Sequence, residues 1–399
     1  LHFNNRKGTF FMENFIVPAF VGEVIDKIEQ NGYEAWLVGG CVRDTLRGET
    51  PKDYDVASSA PCEEICRLFD KVIETGIKHG TVTVISDSRP VEVTRYRIDG
   101  EYADHRRPDK VEFTPDFKAD LSRRDFTVNA IGYSPKRGII DPFGGEADIK
   151  AKILRTVGDP EKRFDEDALR IMRAVRFAST LEFKIEENTL AAAKKLSPTL
   201  KNVSAERIFS ELKKTILGNR PEFIEHIINN GGLGHVGPLR CDSLSPIKKA
   251  DGLTARLAVM ITLCGGDAFE VLSALKSDNE TKKAVIKIAD MLNPELPLDR
   301  VSLKKHMSHM GEKGLCDLLE AEKALFGVEI GSAKAEIADI ILKNEPYRIA
   351  DLEISGDEIT ETGISGKKVG ETLEHLLQKA IENPEINEKN RLKSLIAKN

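Results

Sequence analysis

One change of pattern constrains this chain more than any other feature: near residue 145 its hydrophobic period switches. Before that point, short β-rich runs mix with helices. Strands are expected at Ala35-Trp36-Leu37-Val38 and over 53–57, 80–86 and 90–97, bounded by turn-forming residues. Helices are expected over 20–30 and 61–69 from apolar residues spaced three and four apart. After Asp141-Pro142-Phe143-Gly144-Gly145 the remainder reads almost entirely as helices. Its turns fall at Ser197-Pro198, Gly218-Asn219, Gly231-Gly232, Asn293-Pro294 and Gly363. The expected fold is therefore a mixed α/β head followed by all-helical segments, and a sheet of several strands beyond residue 220 would contradict it. At 399 residues the chain is too long for one ordinary core, so two to four domains are expected.

Composition narrows the class. Hydrophobic residues at 40% and charged residues at 31% describe a globular protein. No apolar run approaches the roughly 20 residues needed to span a membrane, and no secretory signal is visible. Residues 1–11 are expected to be a tag or upstream sequence, with Met12 as the start. The six cysteines have neither Cys-x-x-Cys nor zinc spacing, which suggests buried free thiols in a reducing cytoplasm. A net charge of -6 does not advertise a nucleic-acid binder, yet a local basic groove is compatible with it.

The head carries two motifs close together, Gly39-Gly40-Cys41-Val42-Arg43-Asp44 and Lys52-Asp53-Tyr54-Asp55-Val56. Alternate residues of a strand point to one side, so Asp53 and Asp55 would present two carboxylates together, a seat for Mg²⁺. The glycines let backbone N–H groups approach an anion at a helix start. Alone, the first motif is an ordinary tight turn and the second a solvated strand end. Their separation lets both reach one rim, where a phosphate grip beside a metal grip suggests nucleotidyl transfer. No Gly-x-Gly-x-x-Gly is present, and Gly366-Lys367 lacks the earlier glycine of a Walker loop. Glu92, in Val91-Glu92-Val93, is either a third carboxylate near the metal or an exposed strand glutamate. The run Arg123-Arg124-Asp125 is either a solvated helix entrance or a source of guanidinium forks for phosphate and ribose. The polar segment over 99–108 reads as a mobile loop.

The segment from Arg163 to Phe177 reads as one helix with acids near its start. Asp167, Arg170, Arg173 and Arg176 recur every three residues and line one stripe; Leu169, Met172 and Val175 form an apolar stripe facing a core. An amphipathic helix with ion pairs would account for this. Three arginines on one stripe repel one another without an anion nearby, which favours ligand contact.

In this order the four motifs resemble those of the class II tRNA nucleotidyltransferases, the CCA-adding enzymes, within the poly(A) polymerase and DNA polymerase β-like superfamily. The similarity runs over 15–209. It implies an α+β head with a polymerase β-like sheet over 12–150, a helical neck over 151–218, a body over 219–300 and a tRNA-binding tail over 301–399. It implies Mg²⁺ at the catalytic Asp53 and Asp55, and the incoming triphosphate at Gly40 and Arg43. Arg124 would contact the nucleotide and the Arg-Arg-Asp motif its ribose, with Arg173 and Arg176 as further contacts. Glu166-Asp167-x-x-Arg170 would be an amino-acid template for bases, and Val203-Ser204-Ala205-Glu206-Arg207 a structural helix-turn.

The template has a chemical rationale. Cytosine and adenine each set an amine donor beside a ring-nitrogen acceptor, matching a carboxylate beside a guanidinium, whereas uracil and guanine reverse the order. The implied activity is addition of CCA to tRNA from CTP and ATP without a nucleic-acid template, in the cytoplasm and away from membranes. An enzyme adding only A, a poly(A) polymerase, or an inactive RNA-binding relative are the alternatives. The last is expected to lose the metal carboxylates, which are present here. Members adding only CC lack the loop that is full length here. No His-Asp phosphohydrolase cluster is visible, so no such accessory activity is expected. No sequence feature speaks to oligomeric state.

Overall fold

The computed structural model describes residues 15–99 and 111–396. Nearly all of the loop expected over 99–108 lies outside them. The chain divides into two compact units, residues 1–235 and 236–399.

The first unit opens with α1 (Ala19–Gln30), whose Val21, Val24, Ile25 and Ile28 are buried at helical spacing. Then follow β1 (Ala35–Val38), α2 (Gly40–Leu46), β2 (Asp55–Ser58), α3 (Cys62–Leu68), β3 (Val72–Gly76), β4 (Thr81–Ser86) and β5 (Arg89–Arg95). A short hairpin, β6 (Arg97–Asp99) with β7 (Val111–Phe113), precedes α4 (Phe117–Ser122), β8 (Gly132–Ser134), β9 (Gly138–Ile140) and α5 (Gly145–Ala151). Seven strands form one sheet in the order β3-β4-β5-β2-β1-β8-β9. Its only parallel neighbours are β2 and β5; every other pairing in it is antiparallel. Trp36 stacks on Phe117 with ring centroids 4.9 Å apart, at the centre of a core that includes Tyr96, Leu121 and Val157.

Beyond residue 150 two strands of two residues each, β10 (Ile153–Leu154) and β11 (Lys184–Ile185), pair in parallel. They are the exception to the helical reading of the remainder. The other elements are α6 (Pro160–Glu166), α7 (Leu169–Leu181), α8 (Glu187–Leu196), α9 (Ala205–Leu217) and α10 (Glu225–Ile228). The apolar stripe expected on the arginine-rich segment is buried: Met172 and Val175 are fully covered, and Leu169 nearly so.

The second unit holds α11 (Leu253–Leu263), α12 (Ala268–Ala274), α13 (Asn279–Met291), α14 (Arg300–Phe326), α15 (Gly331–Leu342), α16 (Gly356–Thr360), α17 (Lys367–Glu382) and α18 (Lys389–Ile396). Among the described residues it contains no strand. Ile354, Ile359, Leu376 and Leu392 form one of its core clusters. No single described helix is long and apolar enough to cross a membrane. All six cysteines are free, four of them buried.

Candidate active site

The turn after β1 is tight because Gly39 has φ +72°, a backbone that side chains disfavour. A Cβ at Gly39 would lie 3.4 Å from Nη1 of Arg124 and 3.5 Å from Oδ2 of Asp55. Three of the sequence motifs therefore meet at one glycine. They open onto a cavity of about 670 Å³ lined by Gly40, Arg43, Asp55, Glu92, Arg124, Asp167 and others of the same unit.

Asp55 is the first residue of β2, paired with Val38 on one side and Glu92 on the other. Burial pushes its carboxyl above the ordinary value; Arg124 opposes the rise and Asp53 adds to it. Burial and the charge of Asp55 push Glu92 up as well. Glu92 is an exposed strand residue that also lines the cavity beside Asp55. Asp53 departs from expectation. The strand begins at Asp55, not at residue 53: its antiparallel pairing with β1 stops at Val38 and its parallel pairing with β5 starts at Glu92. Asp53 is exposed and outside the cavity lining, although its charge reaches Asp55.

Arg43 and the Arg-Arg-Asp run are joined by a chain of hydrogen bonds. Nη1 of Arg43 donates to Oδ1 of Asn129 at 2.7 Å, and Nδ2 of Asn129 donates to Oδ1 of Asp125 at 3.0 Å. Nε of Arg173 donates to Oδ2 of Asp125 at 2.7 Å. Burial would raise the Asp125 carboxyl, but Arg173 and Asn129 outweigh it and hold it down at about 2. Both oxygens of Asp125 are engaged by protein donors. Arg124 faces the cavity instead: Nη2 donates to Asp120 at 3.2 Å, while Nε is buried with no acceptor among the described residues.

The helix expected from Arg163 to Phe177 is two helices. Asp167 stands at the break with extended backbone, φ -142° and ψ 103°, and its Oδ1 accepts from the backbone N–H of Leu169 at 3.0 Å. A short carboxylate side chain satisfies the unpaired donors of a helix start better than it rides a helix face. Asp167 therefore caps α7 instead of standing on one stripe with Arg170. Both still line the cavity. Arg170 is almost buried; it donates to the Glu166 carboxylate and to the carbonyls of Arg163 and Arg123.

The three arginines of α7 each pair with a carboxylate: Arg170 with Glu166, which it shares with Arg163, Arg173 with Asp125, and Arg176 with Glu211 of α9 at 2.6 Å. Their mutual repulsion thus needs no external anion. Burial nonetheless holds Arg176 below the ordinary guanidinium value, with Glu211 opposing the shift and Arg173 adding to it. Arg176 also lies 3.7 Å over the ring of Phe177. Eight arginines line the cavity against four acids, so an acidic chain presents a basic site. Residues that line the cavity without a sequence assignment to it include Thr81, Thr94, Arg97, Asn129 and Arg207. Arg207 belongs to a run that reads as structural, and Glu211, the partner of Arg176, follows it by one turn.

The chain matches the family model described as "Poly A polymerase head domain" over residues 35–155, and that described as "Probable RNA and SrmB- binding site of polymerase A" over 182–238. It is 36% identical over 379 residues to the CCA-adding enzyme of Ligilactobacillus salivarius, covering 92% of this chain and 93% of the relative. It is 52% identical over 198 residues to the CCA-adding enzyme of Pediococcus pentosaceus, half of each chain. Its structure is similar to that of the Bacillus stearothermophilus CCA-adding enzyme in complex with CTP, with TM-score 0.79, 29% identity, and 95% and 96% of the two chains covered. The Thermotoga maritima CCA-adding enzyme complexed with tRNA shares the fold at TM-score 0.63 and 22% identity, with 96% of each chain covered.

Proposed function

The chain belongs to the CCA-adding enzyme family of tRNA nucleotidyltransferases, and from that premise we propose that it completes the 3′ end of tRNA with C, C and A from CTP and ATP. The observation that carries this reading is one cavity joining two adjacent carboxylates, the half-buried Asp55 and the more exposed Glu92, to the buried Arg124 Nε that has no acceptor among the described residues. A triphosphate oxygen would satisfy that donor.

Nucleotidyl transfer in this family requires a divalent metal ion, and we assign it as Mg²⁺. Among the described residues, no three or more His, Cys, Asp or Glu side chains gather closely enough to hold a metal by themselves. Mg²⁺ typically takes one or two carboxylates and completes its shell with water and substrate phosphates. Two adjacent carboxylates raised by desolvation and by a neighbouring carboxylate, Asp53 beside Asp55 and Asp55 beside Glu92, fit that donor set. Asp55 and Glu92 would hold the ion, with Asp53 at the rim. When bound, the ion supplies activation of the tRNA 3′ oxygen and neutralisation of charge on the departing pyrophosphate. Gly40, Arg43 and Arg124 would orient the triphosphate, with Arg173 and Arg176 behind them. Catalysis would then rest mainly on positioning and charge.

Asp167 and Arg170 are proposed to read the base edge. Asp167 accepts from the amine of cytosine or adenine, and Arg170 donates to the ring nitrogen. Within the two compact units, the division into head to 150, neck to 218, body to 300 and tRNA-contacting tail to 399 is part of the same proposal, as is a cytoplasmic site of action. The full-length segment over 99–108 favours addition of A as well as C. The test is extension of tRNA ending before C, after C and after CC with each labelled triphosphate. Addition only after CC would establish an A-adding enzyme. No extension of any substrate would refute the proposal.

A further inference from the structure

Arg207 is the only arginine lining the cavity that comes from α9. It reaches across to the residue at the break before α7: its Nη2 lies 3.3 Å from Oδ2 of Asp167. The other oxygen of Asp167 is already engaged by the N–H of Leu169. A carboxylate has about four lone-pair positions on two oxygens. One donor from α7 and one from α9, on different oxygens, fix the plane of the group. Oδ2 keeps acceptor capacity for a further donor. With the Arg207 bond removed, the bond from Leu169 N–H to Oδ1 would remain, and it leaves the group able to swing.

We propose that Arg207 is a positioning residue for base choice: it holds the Asp167 carboxylate in the one orientation that accepts an exocyclic amine. The inference rests on the reading of Asp167 as the base acceptor. Cytosine and adenine bring an amine to Oδ2. Uracil and guanine bring a carbonyl oxygen, and a carboxylate fixed in place must meet it as a like partner. A carboxylate free to swing can turn aside and admit a bridging water, which softens the rejection. It must also be ordered anew for each correct nucleotide, which slows the correct addition. Arg207 thus acts on both sides of the ratio. An arginine that merely tied α9 to α7 would act on neither selectively.

The experiment is single-nucleotide addition to tRNA with CTP, ATP, UTP and GTP, comparing wild type, Arg207→Ala, Arg207→Lys and Asp167→Asn. Melting temperatures are measured in parallel. For Arg207→Ala, kcat/KM with CTP and ATP should fall by about tenfold, the scale of one lost charge-assisted hydrogen bond. Values for UTP and GTP should fall less, so the preference contracts. Arg207→Lys, which keeps the charge without the planar fork, should recover part of the preference. An equal fall for all four nucleotides, or an unchanged preference, would overturn the proposal. If Arg207→Ala does not fold, the preference of Arg207→Lys decides: wild-type selectivity there with wild-type rates would overturn it. Asp167→Asn separates the two levels of the argument. If that variant keeps the wild-type preference, the base-reading assignment fails. If it shifts choice towards UTP and GTP while Arg207→Ala does not, only the role of Arg207 fails.

Discussion

Asp55 and Glu92 stand directly opposite each other on β2 and β5, the one parallel pair of the sheet, and both line the cavity. Placing two like charges side by side is costly without a cation. Each carboxyl is indeed pushed towards its neutral form. Among the described residues no third carboxylate joins this pair to make a metal cage, so Mg²⁺ alone should bind weakly and bind well only with the phosphates of CTP or ATP. Melting curves check this: Mg²⁺ without nucleotide should move the transition little, and Mg²⁺ with CTP should raise stability by about 2–3 kcal/mol at a hundredfold excess over its dissociation constant. A large shift with Mg²⁺ alone would mean a preformed metal cage.

Substitution separates the three carboxylates. Asp55→Ala should abolish all additions while the fold survives. Glu92→Gln should retain some activity but need more Mg²⁺ to reach it. Asp53→Ala tests the sequence reading most directly, because Asp53 is exposed and lies ahead of the strand. Loss of turnover in that variant would mean that Asp53 closes on the bound metal. Near-normal turnover would leave Asp55 and Glu92 as the working pair.

The glycine turn gives a contrast between neighbours. At Gly39 a methyl group would force a disfavoured positive φ and sit between the Arg124 guanidinium and the Asp55 carboxylate. Gly40 is an ordinary first residue of α2, and its Cβ would meet only Nη2 of Arg43, at 3.6 Å. Gly39→Ala should therefore lower stability by about 1–2 kcal/mol and cut nucleotide use severely. Gly40→Ala should change stability little. Equal effects on stability would show that backbone conformation is not what selects glycine at 39.

Asp125 gives a pH prediction with a definite sign. Its carboxyl is held at about 2 in the folded protein, below the ordinary carboxylate value of 3.8. The stability it contributes is fully present above the ordinary value and is lost as pH falls from there through about 2. The difference in unfolding free energy between wild type and Asp125→Asn should shrink by roughly 2 kcal/mol between pH 5 and pH 2. A difference independent of pH would mean that the Arg173 pairing does not stabilise the ionised form.

The sheet, the switch to helices and the meeting of the motifs at one cavity were legible because period, turn residues and spacing are local signals. What was not legible depended on partners distant in sequence. Spacing by threes made Arg170, Arg173 and Arg176 look uncompensated. Asp125 and Glu211, which neutralise two of them, lie 48 and 35 positions away, on other elements. The capping of α7 by Asp167 had a local signal, an aspartate two residues before a buried leucine. The acids Asp165 and Glu166 beside it made a continuous helix equally readable. The position of Asp53 ahead of the strand has a tertiary cause: β2 starts where its pairing with Val38 and Glu92 starts, which a pattern of residues in β2 does not record.

The arginines of α7 yield the sharpest division between reading a base and holding the site together. Arg170 is held at the cavity wall by Glu166 and by the carbonyls of Arg163 and Arg123, so its guanidinium presents one orientation. Arg170→Ala should remove the donor to the ring nitrogen, lower addition of C and A steeply, and relax rejection of UTP and GTP. Arg173→Ala and Arg176→Ala should weaken use of every nucleotide without relaxing base choice. They should also destabilise the fold more, because each leaves a buried carboxylate, Asp125 or Glu211, without its cation. Breaking a buried pair in this way costs about 3–5 kcal/mol. Asp125→Asn placed on top of Arg173→Ala should recover part of that loss, since the uncompensated charge is gone. The measurements are urea unfolding of the single and double variants and addition assays with all four triphosphates. If Arg170→Ala kept the wild-type preference for C and A, base choice would reside elsewhere and Arg170 would be an ion-paired scaffold residue.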